Sequence, residues 1–187
     1  LSGNTDSQTL IGKTLLTWLT GNFTYSLRGE VRNVTKDDET SAEQYLVAGR
    51  ERYELDGPHY LFGFARWEKE RFAGYDQQLS AIGGYGRQIL ENDTHVFSLE
   101  AGPGYRHDRL REHGDYRLAV AYTALDYHWF FSDYADIQQE MSFEYTDQNT
   151  TSRSLTALTA RLNSKLSLRL SHEIKHNSQP PDDTSER

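Results

Sequence analysis

The 187-residue chain has no cysteine, so no disulfide can brace it. That absence suits passage through an oxidising periplasm but is also common in cytosolic proteins, so location must be read elsewhere. No apolar run approaches the roughly 18 residues of a transmembrane helix, which excludes spanning by helix and leaves a closed sheet as the one way across lipid. A basic excess is missing too: 28 Asp and Glu against 20 Lys and Arg leave a net charge of -8, which argues against a nucleic-acid partner.

What is present is alternation with a period of two. Leu166, Leu168, Leu170 and Ile174 oppose Ser167, Arg169, Ser171, Glu173 and Lys175; Phe23, Tyr25, Leu27 and Val31 oppose Thr24, Ser26, Arg28, Glu30 and Arg32. Ile137 to Tyr145 and Phe97 to Tyr105 repeat the split. A barrel in lipid needs only half of each strand apolar, so 36% hydrophobic content admits either a membrane barrel or a soluble all-β domain.

Gly, Asn, Asp and Pro clusters punctuate the chain unevenly. Short turns are expected at 20–22, 56–58, 91–93, 132–133 and 163–165, and long polar loops at 1–8, 33–42, 71–78, 107–116, 146–153 and 176–187. Ten strands follow: Thr9–Leu19, Phe23–Arg32, Glu43–Leu55, Tyr60–Glu70, Leu79–Leu90, His95–Arg106, Arg117–Phe131, Ala135–Tyr145, Ser154–Leu162 and Leu166–Lys175. The expected fold is a single domain over 1–187, all-β, a transmembrane antiparallel up-and-down barrel. Short turns would face the periplasm and long loops the outside. Because the chain starts and stops in loops of the outer class, a further strand is expected beyond each end, with about twelve strands in the complete barrel.

Aromatic residues fall where interfacial girdles belong: Trp18, Tyr25, Tyr53 and Trp129 near the short turns, and Trp67, Tyr105 and Tyr145 toward the long loops. The polar face carries Arg28, Glu30, Arg32, Arg50, Arg52, Glu54, Arg66, Glu68, Glu70, Glu100, Arg106, Asp126, Glu140, Glu144, Arg169, Glu173 and Lys175. Pointing into a lumen, these charges must pair. They make either a salt-bridged filling or the walls of a small water-filled pore for hydrophilic solutes or ions.

Enzymatic readings are weaker. His172 with Ser154 or Ser171, Asp126 with His128, and His107-Asp108 with His113 offer bases, but none sits in a nucleophile motif. The carboxylate runs Asp37, Asp38, Glu39 and Asp182, Asp183, Glu186 lack the spacing of a calcium loop. The glycines of Gly83 to Gly86 and Gly102 to Gly104 do not complete a dinucleotide fingerprint and more simply mark curvature or close packing. No catalytic residue, cofactor or metal is therefore expected. A membrane-bound hydrolase and a soluble barrel holding a hydrophobic ligand stand as alternatives.

Five strings are specific: Ser2-Gly3-Asn4-Thr5, YLFGFARWEKERFAGY from Tyr60 to Tyr75, GGYGRQIL from Gly83 to Leu90, EAGPGYRHD from Glu100 to Asp108, and NSQPPDD from Asn177 to Asp183. On these the chain resembles, end to end, the YdiY-like family of outer-membrane proteins, domain-of-unknown-function family 481, described as salt-induced. The resemblance implies a Gram-negative outer-membrane location, a β-barrel and a link to salt or osmotic stress. The partners that go with such a location are outer-membrane lipid and lipopolysaccharide, and the barrel-assembly machinery during insertion.

Overall fold

The computed structural model describes residues 7–36, 39–70, 75–110, 114–162 and 166–178. Ten strands run β1 Ser7–Thr20, β2 Phe23–Lys36, β3 Glu39–Glu54, β4 His59–Glu70, β5 Tyr75–Glu91, β6 His95–Leu110, β7 Gly114–Ser132, β8 Ala135–Tyr145, β9 Thr150–Arg161 and β10 Ser167–Asn177. Each pairs antiparallel with its sequence neighbours in the order β1 to β10, an up-and-down meander. The described residues contain no helix. Every strand expected from alternation is there, and Ala135–Tyr145 has the same limits.

The loop expectation is corrected. Residues 33–36 and 39–42, 75–78, 107–110 and 114–116, and 150–153 are paired strand rather than loop. Lys36 pairs with Glu39, leaving two residues between the strands. A polar composition does not prevent backbone pairing, and a β-branched residue such as Val34 favours it. Of the remaining loop expectations, 1–6 and 179–187 lie outside the described residues.

The sheet curls. Even-numbered residues of β2 to β8 share one face, and there Tyr60, Phe62, Ile82, Arg106, Val120, Tyr122 and Glu144 are buried, although no second layer covers them. Side chains of that face bond across non-neighbouring strands, Arg66 of β4 to Glu144 of β8 and Arg50 of β3 to Glu100 of β6, so it is concave. The curl brings the edge strands together without pairing them: Lys13 of β1 lies 3.3 Å from Glu173 of β10, and Arg28 of β2 lies 3.7 Å from the same carboxylate. The result is a barrel-like sheet with an open seam.

Glycine makes the tight part of the curl. At Gly84 and Gly102 a Cβ would strike the backbone of the neighbouring strand, so β5 and β6 approach more closely there than any side chain allows. At Gly86 a Cβ would run into the Tyr60 ring. β1 departs from alternation: Leu10, Leu16 and Trp18 on the convex side are joined by Ile11, Leu15 and Leu19 on the concave side, all about half exposed or more.

Gly86→Val should displace Tyr60 and cost about 2–3 kcal/mol. Gly49→Ala, which meets nothing within 4 Å, should cost about 0.5 kcal/mol or less. Urea midpoints of the two variants in detergent check the contrast.

A candidate site in the filled interior

A strand carries its side chains alternately to either face, so one register decides where every charge goes. The ladders place Arg28, Glu30, Arg32, Arg50, Arg52, Glu54, Arg66, Glu68, Glu100, Arg106, Asp126, Glu140, Glu144, Arg169, Glu173 and Lys175 on the concave side. The side chain of Glu70 lies outside the described residues. The same ladders put Trp18, Tyr25, Tyr53, Trp67, Tyr105, Trp129 and Tyr145 on the convex side.

Toward the loop end the concave charges form a lattice. Glu68, with a side chain 3% exposed, takes Arg153 of β9 at 3.2 Å and Lys175 of β10 at 3.4 Å, crossing from one wall to the other. Glu144, 1% exposed, takes Arg66 at 2.6 Å and Arg153 at 2.9 Å. Arg106 pairs with Asp108 at 3.0 Å and reaches Asn149 at 3.3 Å. Each carboxylate would be costly alone in such burial, and each meets cations from two or more strands or a guanidinium two residues along.

Toward the short turns the filling is aromatic. Tyr60, Phe62, Ile82, Val120 and Tyr122 form one buried cluster against Phe64 and Ala124. Phe64 meets Tyr122 edge-on at 5.2 Å, and the guanidinium of Arg52 lies 3.6 Å from the centre of the Tyr60 ring. Arg50 and the Tyr60 hydroxyl both bond Glu100. Ring and ion pair are thereby one unit. Along the seam the concave face is open: Lys13, Arg28 and Glu173 have side chains 56%, 41% and 44% exposed.

Sequence reading missed part of this. By composition Arg153 and Asp108 fall in loops, and Lys13 sits in a strand without alternation. The inward aromatics break the rule that the inner face is polar. The signal for Arg153 and Asp108 was the polar alternation that continues past the expected strand ends.

Among the described residues the candidate catalytic groups do not assemble. His172 faces outward opposite Thr156, whereas Ser171 faces inward opposite Ala157. Ser154 faces outward and accepts from Gln139 at 2.9 Å. His128 bonds Asp136 at 2.7 Å beside the Phe130 ring, not Asp126. His107 turns outward to Asp115 at 3.5 Å while Asp108 turns inward. His113 lies outside the described residues. Among the described residues no three His, Asp or Glu gather as metal ligands, and Asp37, Asp38, Asp182, Asp183 and Glu186 fall outside them.

Glu68→Gln strips Arg153 and Lys175 of a shared carboxylate and should cost about 3 kcal/mol. Glu54→Gln, at a carboxylate 44% exposed, should cost about 1 kcal/mol or less. Thermal unfolding in detergent reads both.

Comparison with known proteins follows the same line. The family model for the protein of unknown function DUF481 matches residues 1–187. The uncharacterized protein YdiY of Escherichia coli (strain K12) is 35% identical over 185 residues, covering 99% of this chain and 73% of that protein. No solved structure matches. With the family model matched from first residue to last and the relative aligned over nearly the whole chain, this all-β chain belongs to the DUF481 family.

Proposed function

We propose that the chain is a non-enzymatic β-barrel of a Gram-negative outer membrane, a structural protein of the envelope whose interior is closed by ion pairs and aromatic rings. The observation that carries this reading is the convex face. Leu10, Leu16, Val47, Leu61, Leu79, Leu99, Leu158, Leu168 and Leu170 stand there 43% to 70% exposed. A water-soluble protein rarely leaves so many large apolar side chains of one sheet face uncovered, whereas lipid covers them at no cost.

Aromatic rings border this surface near the short turns. Trp18 stacks on Tyr25 at 5.5 Å, Phe23 meets Tyr25 at 5.7 Å and Tyr53 at 4.7 Å, and His95 lies between Tyr127 and Trp129 at 6.0 Å from each. Amphipathic rings in a row suit a headgroup layer. A soluble carrier of hydrophobic ligands is opposed by the charged lattice, which occupies the space such a ligand would need.

A second reading, passive permeation of small hydrophilic solutes or ions, is favoured by one observation, the half-exposed charges along the seam. A role under salt or osmotic stress belongs to the same proposal, since those exposed pairs weaken as ionic strength rises while the buried lattice holds.

Brominated lipid should quench Trp18 and Trp129, and the chain reconstituted in planar bilayers should be silent. Removing the aromatic layer with Phe62→Ala and Tyr122→Ala should then produce discrete conductance steps. Steps from the unaltered chain would favour the permeation reading. Quenching by water-soluble agents alone would remove the membrane from the account.

A further inference from the structure

On the convex side of β5 to β8, small residues interrupt the apolar surface. Ala101 and Thr123 stand opposite each other in one row, flanked by Tyr85 and Phe143, with Leu99 and Leu125 in the next row toward the short turns. They line a groove of about 380 Å³, within the range of a small-molecule site. Arg87 stands at its end, directly across the ladder from Leu99 on one side and His59 on the other.

Arg87 is the outlier. Every other convex position in this row of β5 to β8 is apolar, yet Arg87 is exposed and no described residue bonds or pairs with its guanidinium. Its neighbour His59 is occupied by the Tyr85 hydroxyl. The convex face of β5 to β8 offers one carboxylate among the described residues, Asp115, at the far end of β7 and already between Arg109 and His107. A fixed cation at the mouth of an apolar groove, beside the aromatic rim, wants an anion with a hydrocarbon tail.

We infer that this groove holds a phospholipid, its phosphodiester on Arg87 and one acyl chain along Leu99, Ala101, Thr123 and Leu125. The inference rests on the membrane reading above and names the lipid contact that the reading leaves general. Arginine suits the role because its planar donors grip two phosphate oxygens at once. The small side chains at Ala101 and Thr123 supply the depth, and Tyr85 and Phe143 the walls.

The test uses native mass spectrometry of the full chain released from detergent, titrated with dimyristoyl phosphatidylglycerol. One tightly held lipid is expected, with binding about fivefold weaker for Arg87→Gln. Ala101→Phe, which fills the groove and keeps the cation, should weaken it similarly. Diacylglycerol of the same chain length should bind less well, and inorganic phosphate should not compete at millimolar concentration. Unchanged binding in either variant, or displacement by free phosphate, overturns the inference. Brominated-lipid quenching of Trp18 and Trp129 run on the same samples separates the two claims. Quenching without Arg87 dependence removes only the lipid site, and loss of quenching in the unaltered chain removes the membrane reading with it.

Discussion

A curled sheet that turns charged side chains inward has to bring opposite charges together across its hollow, because a carboxylate taken out of water without a partner costs several kcal/mol. Glu68 and Glu144 meet that demand from β4 and β8, and the cations that reach them come from β4, β9 and β10. Three of these four contacts join strands that do not pair through their backbones, and the fourth, Arg153 to Glu144, links the neighbours β9 and β8. Curvature and charge placement are thus one constraint. If the sheet flattened, Arg66 and Glu144 would separate, and if the charges were absent, the loop ends would lose the contacts from β4 to β8, β9 and β10.

The glycines and rings answer the same constraint from the other end. Gly84 and Gly102 let β5 and β6 close up, and Gly86 leaves room for Tyr60, whose hydroxyl bonds the carboxylate that also takes Arg50. An aromatic ring with a polar tip fills volume and satisfies charge at once. The interior therefore grades from rings near the short turns to ion pairs near the loops, while the convex face is mostly apolar, broken on β8 to β10 by the row Gln139, Thr156 and His172. A protein arranged this way, with charges and rings within and apolar side chains without, inverts the usual relation of core to surface, and on the membrane reading proposed above lipid is the solvent that makes the inversion stable.

Much of this was legible from period-two alternation. Ala135–Tyr145 matches residue for residue, and the face assigned to Arg66, Glu68, Glu144 and Lys175 is the face on which they meet. Strand ends were less legible, because the polar extensions around Val34, Asp108 and Arg153 look like loop by composition while still satisfying a ladder. The identity of ion-pair partners was not legible at all. Lys175 and Glu68 are 107 residues apart, and only the curl decides that they touch. Phe62 and Tyr122 were invisible for a related reason: alternation tells which face a ring occupies, not that the hollow narrows enough to need rings there. β1, apolar on both sides, defeats the rule outright.

The central claim is that opposed charges hold opposite walls of the interior in place. A charge exchange at Arg50 and Glu100 tests it most directly, since this pair joins β3 to β6 and shares few other partners. Thermal unfolding would be measured for Arg50→Glu, Glu100→Arg and the two together. Each single change should cost about 3 kcal/mol, and the double change should recover about 1.5 kcal/mol or more of the summed loss. Losses that simply add would contradict the account, because the two charges would then be acting independently rather than as a strut.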